Sequence, residues 1–211
     1  MNASVRRSTR VARGLLQCAL LVLLVAGCSK APTLHRLAPD AVVLAFGDSL
    51  TYGTGAAENE SYPAQLERLI GRRVIDDGVP GELSAAGLAR LPGALERYKP
   101  SLLILCHGGN DLLRRLGKRR AAEHVRAMVR LAKERGVDVV LLGAPEPSLT
   151  VTPPAFYAEI AHQFHIPYDG KVIGRVLRDP ALKSDPIHPD AGGYRVIAEH
   201  VAELLKESGA L

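Results

Sequence analysis

The chain has 211 residues, long enough for one domain with a sizeable core and too short for two ordinary ones. Its formal charge of +5 reflects 27 basic against 22 acidic residues, but Arg6, Arg7, Arg10 and Arg13 crowd into the first fourteen positions. With residues 1–27 set aside, 23 basic residues face 22 acidic ones, a net of +1, which leaves nothing to favour nucleic acid as a partner.

Those arginines are followed by Gly14-Leu15-Leu16 and an apolar run from Leu20 to Ala26, too short to span a bilayer comfortably and suited to a secretory signal. The run ends in Leu24-Val25-Ala26-Gly27-Cys28, which resembles the lipobox of bacterial lipoprotein signals. That resemblance implies removal of residues 1–27, acylation of Cys28 and, with Ser29 following, an outer-membrane address if the cell has one. Acyl chains contribute about 0.8 kcal/mol per buried methylene, so they hold a protein on a membrane without a spanning helix. Only Cys106 then remains as a free thiol, and the folded domain has no internal disulfide despite an exported location.

Residues 28–40, with Pro32 and Pro39, are expected as a lipidated tether, and residues 41–211 as the single domain. From Ala41 onward apolar runs alternate with amphipathic stretches, the pattern of an α/β protein with a parallel sheet. Ala41 to Phe46 is the first strand. Ser61 and Pro63 open a helix with Leu66, Leu69 and Ile70 on one face, stopped by Gly71; Arg73 to Asp76 follows as a short second strand. Ser84 is placed to cap the next helix, in which Leu88, Leu91, Leu95 and Tyr98 share a side and Pro92 predicts a break or kink. Ser101 to Cys106, apolar on both faces, is a central third strand. A helix over about Arg119 to Arg135 buries Val125, Met128, Val129 and Ala132 before Gly136 ends it, and Val137 to Leu142 is the fourth strand. Pro154 opens a helix bearing Tyr157, Ile160, Ala161 and Phe164, Ile166 to Tyr168 is a fifth strand, and a last helix starting near Asp190 carries Tyr194, Ile197, Val201 and Leu204 inward. Five strands alternating with helices make a three-layer α/β/α sandwich, whose ligands bind beyond the carboxyl ends of the strands.

The polar loops expected at that end carry chemistry. The first strand stops abruptly in Gly47-Asp48-Ser49-Leu50, which delivers Ser49 to the sheet edge as a candidate nucleophile. A serine hydroxyl needs a base to take its proton, and Asp185-Pro186-Ile187-His188 offers an imidazole with a carboxylate three residues away to hold its Nδ1 proton. Acyl transfer also needs donors for the developing oxyanion. Gly81, ending the second βα loop, lets a backbone amide approach closely, and Asn110, in Gly108-Gly109-Asn110-Asp111, supplies a side-chain amide from the third. His107 is a weaker candidate base, because no carboxylate sits at a sequence spacing that would orient it. His162 and His165 lie three apart on a helix with no third ligand, so no metal site is expected. No Gly-x-Ser-x-Gly elbow is present, which disfavours the larger α/β-hydrolase fold.

Taken in order, Gly47-Asp48-Ser49-Leu50, Gly81, Gly109-Asn110-Asp111 and Asp185-Pro186-Ile187-His188 resemble the four motifs of the GDSL esterases and lipases, also called SGNH hydrolases, over nearly all of residues 41–211. Gly81-Glu82 with Gly87-Leu88-Ala89-Arg90-Leu91 is most similar to the bacterial periplasmic thioesterase, arylesterase and lysophospholipase group. The resemblance implies a flavodoxin-like five-stranded sheet and a cofactor-free, metal-free esterase or thioesterase working through an acyl-enzyme. Within it Ser49 is the nucleophile, His188 the general base and then acid, and Asp185 its orienting carboxylate. The amides of Ser49 and Gly81 with the Asn110 side chain form the oxyanion hole. Asp48, beside the nucleophile, is left to brace the turn. Asp76 and the Cys106-His107 pair depart from the group's pattern, in which many relatives carry asparagine and Glu-Leu.

The partners expected are a small-molecule or lipid acyl ester and, through Cys28, a membrane; the chain is expected to be a monomer in the periplasm. Arg114, Arg115, Lys118, Arg119 and Arg120 form a basic cluster whose proximity to the site mouth would attract anionic lipid head groups. Two alternatives stand beside the esterase: a carbohydrate acetylesterase acting on envelope glycans, and an envelope-binding lipoprotein on an inactive hydrolase scaffold.

Overall fold

The computed structural model describes residues 31–211. The signal segment and Cys28 lie outside the described residues.

Five strands form one parallel sheet: β1 (Val42–Gly47), β2 (Arg73–Gly78), β3 (Leu102–Cys106), β4 (Asp138–Leu142) and β5 (Tyr168–Asp169). Their order is β2-β1-β3-β4-β5, and every neighbouring pair is parallel. This is the flavodoxin-like winding, in which the chain reverses direction across the sheet between β1 and β3 and opens a crevice at their carboxyl ends. The central strands are apolar on both sides because both sides are covered. Val43, Ala45, Leu102, Ile104 and Cys106 face one core, and Leu44, Phe46, Leu103 and Leu105 face the other.

Among the described residues eight helices surround the sheet: α1 (Ser49–Tyr52), α2 (Tyr62–Ile70), α3 (Ser84–Tyr98), α4 (Gly109–Leu113), α5 (Lys118–Glu134), α6 (Phe156–Phe164), α7 (Val172–Arg178) and α8 (Ala191–Glu207). The first core packs residues of α2, α7 and α8, and the second those of α3, α5 and α6. Among the described residues both cores are built from side chains between Leu34 and Leu211, within the compact unit that begins at Pro32.

Several local expectations change. Pro92 does not break α3, which runs unbroken through it; a proline costs the ladder one N–H but leaves the rest of a 15-residue helix, held by Leu91 and Leu95 in the core, intact. Ser84 lies inside the helix rather than capping it. Its amide and hydroxyl both donate to Asp111, at 2.8 Å each, so the cap comes from α4. In the last turns of α8 it is Leu205 that is fully buried, with Leu204 only packed against the core. The segment expected to be a tether is pinned to the domain from Leu34: Leu34 N and Leu37 N donate to the Ser208 and Ala210 carbonyls at 2.8 Å, and His35 N donates to Asp138 at 2.7 Å. These contacts gather at the amino ends of the strands, opposite the crevice. Among the described residues no helix is long and apolar enough to cross a membrane.

Candidate active site

Gly47 ends β1 under close quarters. A Cβ there would stand 2.2 Å from both the Cys106 carbonyl and the Thr51 hydroxyl, so only glycine lets the chain turn at once into α1. Asp48 caps that helix, accepting from Leu50 N at 3.1 Å through Oδ1. Its Oδ2 accepts from Asn110 Nδ2 at 3.2 Å. Asp48 thus braces the turn and ties it to the loop after β3, as expected. Burial raises its carboxyl above the ordinary aspartate range, opposed only in part by the nearby His107, the Leu50 amide, His188 and the Asn110 carboxamide.

Ser49 opens α1, with its Oγ 3.0 Å from His188 Nε2. His188 Nδ1 is 2.7 Å from Asp185 Oδ2. The other Asp185 oxygen accepts from the amides of Ile187 and His188 at 2.8 Å each, which fixes the loop as a tight turn. Burial alone would raise the Asp185 carboxyl; the bonds from the His188 ring and the two amides hold it below its usual range. The loop is folded although it carries Pro186 and Pro189. Lys183 and Pro189 pair as an antiparallel bridge, and Ser184 N donates to the His188 carbonyl at 3.0 Å, closing a hairpin that aims the imidazole at Ser49. From α8, Tyr194 donates to the Thr54 carbonyl at 2.9 Å and so holds the turn after α1.

Asn110 sits in the first turn of α4, after Gly108 takes a positive φ of 101°. Besides Asp48, its Nδ2 donates to the Glu82 carbonyl at 3.1 Å, so both amide hydrogens have protein partners. Gly81 also has a positive φ, 75°. It does not itself line the cleft before Ser49. Instead it joins the site through its neighbour Glu82, and its carbonyl accepts from Arg114 at 3.2 Å.

Glu82 is the residue that sequence spacing missed. Its carboxylate receives Arg90 Nε at 2.9 Å on each oxygen and His107 Nε2 at 3.0 Å. Arg90 also reaches Asp77 and the Gly47 carbonyl and stacks 3.8 Å above Phe46. Burial by itself would raise Glu82, yet the bonds from His107 and Arg90 hold it below the usual glutamate range. His107 therefore does have a carboxylate partner, 25 residues away in sequence. It is fully buried, and its Nδ1 accepts from Gly108 N at 2.9 Å. With both nitrogens so engaged it braces the oxyanion-side loops and cannot serve as the base.

The remaining departures fall outside this geometry. Cys106 is buried against Gly47, and burial pushes its thiol well up, with Asp48 adding to the shift. Asp76 accepts from Gly78 N at 3.0 Å on the outer strand; desolvation raises its carboxyl to about 6, although the residue keeps a solvent-facing edge. His162 and His165 are exposed, and no cluster of metal-ligating side chains occurs among the described residues.

Beside Ser49 and His188 opens a cleft of about 300 Å³. Its walls are apolar, chiefly Leu50, Leu113, Ala144, Val151, Leu177 and Ile187. Glu146 is the charged wall residue farthest from the chemistry in sequence, and it pairs with Lys118. An apolar cleft with a few convergent polar groups at one end suits an apolar ligand oriented by its polar head.

A model of the GDSL-like Lipase/Acylhydrolase family matches residues 45–196. Esterase TesA of Pseudomonas aeruginosa is 28% identical over 197 residues, covering 87% of this chain and 97% of its own. Thioesterase 1/protease 1/lysophospholipase L1 of Escherichia coli K12 is 27% identical over 179 residues, covering 81% of this chain and 86% of its own. The crystal structure of TesA superposes with a TM-score of 0.72 at 27% identity, over 79% of this chain and 99% of that one.

Proposed function

The chain belongs to the GDSL-like Lipase/Acylhydrolase family and is a serine ester hydrolase, and we propose that Ser49, His188 and Asp185 carry its chemistry. The observation that supports this most is the run of bonds from Ser49 Oγ to His188 Nε2 at 3.0 Å and from His188 Nδ1 to Asp185 at 2.7 Å, opening onto an apolar cleft. Ser49 Oγ attacks the acyl carbon while its proton passes to His188 Nε2. Asp185 keeps the other ring proton on Nδ1 and stabilises the imidazolium. The oxyanion is received by the amide of Ser49 and by Asn110, one of whose two existing bonds is shared or released as negative charge builds. The tetrahedral species collapses, the leaving alcohol or thiol takes its proton from His188, and water activated by the same imidazole hydrolyses the acyl-enzyme.

The acyl group lies in the apolar cleft, which favours carboxylic esters and thioesters of apolar acids over acetylated carbohydrate. A panel of p-nitrophenyl esters from acetyl to long chain, run beside acetylated sugars, tests this. Rising kcat/KM with acyl length and no release of sugar acetate is expected; preference for the sugars would reverse the assignment.

The address is part of the same proposal. Cys28 carries lipid and holds the domain in the periplasm, a reading supported by Leu24-Val25-Ala26-Gly27-Cys28. Metabolic labelling with a radioactive fatty acid is expected to mark the protein and to fail for Cys28→Ser.

A further inference from the structure

Seven large apolar side chains are exposed among the described residues, and only Leu69 stands away from the carboxyl end of the sheet. Leu149 is the extreme case, 102% exposed in the loop after β4, between the cleft-lining Ser148 and Val151. Ile187 and Leu113, 40% and 38% exposed, line the cleft and also face outward. Leu116 is 38% exposed on the loop that follows α4. Leu113 and Ile187 on the opening, Leu149 within a loop that walls it and Leu116 three residues beyond Leu113 mark a surface built to be covered.

The charges beside this rim identify the partner. Arg114, Arg115, Lys118, Arg119 and Arg120 flank Leu113 and Leu116 in sequence. Lys118 and Arg119 pair with Glu146 and Glu123. Arg114, Arg115 and Arg120 form no ion pair among the described residues. An apolar rim that inserts, edged by cations that stay in water, matches the layering of an anionic lipid surface: acyl chains below, phosphates above.

We propose that the mouth of the cleft docks on anionic phospholipid, with Leu149 and Leu116 entering the acyl layer and Arg115 and Arg120 meeting the phosphates. Docking seats the opening at the interface, so an ester carried by a lipid reaches Ser49 without crossing bulk water. The surface is independent of the nucleophile, and an enzyme with a different catalytic serine would still dock.

The test uses residues 32–211, the compact unit that holds both cores, with Ser49→Ala so that no lipid is consumed. Cosedimentation is measured with vesicles of phosphatidylglycerol and of phosphatidylcholine. Strong binding to phosphatidylglycerol, weakened as salt rises, is expected. Arg115→Gln with Arg120→Gln is expected to lower that partition about 30-fold, and Leu149→Gln about tenfold. Leu69→Gln is expected to leave it unchanged. The same substitutions made with Ser49 intact should leave hydrolysis of a soluble short-chain ester at the parent rate, which shows the variants folded. Equal binding to both lipids, or binding insensitive to the rim and arginine substitutions, overturns the proposal. So does a rim substitution that changes sedimentation of the free protein, because the patch would then be an interface between copies of this chain.

Discussion

Asn110→Ala separates catalysis from stability at one side chain. Its Nδ2 spans two loops, donating to Asp48 at 3.2 Å and to the Glu82 carbonyl at 3.1 Å. Losing an oxyanion donor costs about 2.7–4 kcal/mol of transition-state stabilisation, or 10²–10³ in kcat. The substitution also leaves Asp48 Oδ2, on a residue only 2% exposed, without that donor, which costs about 1–3 kcal/mol of folding free energy. In a domain of this size each kcal/mol moves Tm by roughly 2–4 °C. Hydrolysis of a soluble p-nitrophenyl ester is measured well below the variant's own Tm, with circular dichroism reporting the folded fraction. A kcat lowered at least 100-fold with KM nearly unchanged and a Tm lower by several degrees is the expected pair. Adding Ser49→Ala should remove the residual rate and leave the Tm loss in place. A kcat per folded molecule within a factor of two of wild type would refute the assignment of Asn110 to the oxyanion.

Asp185→Asn keeps an oxygen for the amides of Ile187 and His188 but turns an N–H toward His188 Nδ1. It should lower kcat by on the order of 10⁴ through the wrong imidazole tautomer, with little change in Tm; a loss under tenfold would count against the orienting role. Glu82→Gln breaks a part-buried charge network with Arg90 and His107 and should cost about 1–3 kcal/mol at pH 7. Because Glu82 is held below its unfolded value, its contribution is complete above that value and fades as pH falls through the lower folded one. The Tm gap between wild type and Glu82→Gln should therefore narrow below about pH 4.3; a gap that widens in acid would contradict the pairing.

The approach of Ser49 to His188 and Asp185 was legible because each lies on a short stretch whose neighbours announce it. An apolar strand ending in Gly47-Asp48-Ser49 and the three-residue spacing of Asp185 and His188 are local patterns. The three inner strands, β1, β3 and β4, were legible for the same reason, apolar runs bounded by turn residues. The observed β5 is shorter than the apolar stretch around it and starts two residues later than expected, at Tyr168. What escaped depends on contacts between segments distant in sequence. Glu82 meets His107 across 25 residues, Asp111 takes over the capping expected of Ser84 from 27 residues away, and Leu34 and Leu37 pair with Ser208 and Ala210 at the far end of the chain. Short α4 and α7 were also missed; neither is long enough to present a helical period, and each is shaped by the loops it joins. Pro92 illustrates the opposite error, a strong local signal overruled by packing on both sides of it.

The most direct test of Ser49 as the activated nucleophile is covalent labelling with a fluorophosphonate, located by peptide mass spectrometry. A single adduct on Ser49, formed rapidly in wild type, slowed at least 100-fold in His188→Ala and absent in Ser49→Ala together with all ester hydrolysis, is expected. An adduct on another residue, or hydrolysis that persists in Ser49→Ala, would contradict it.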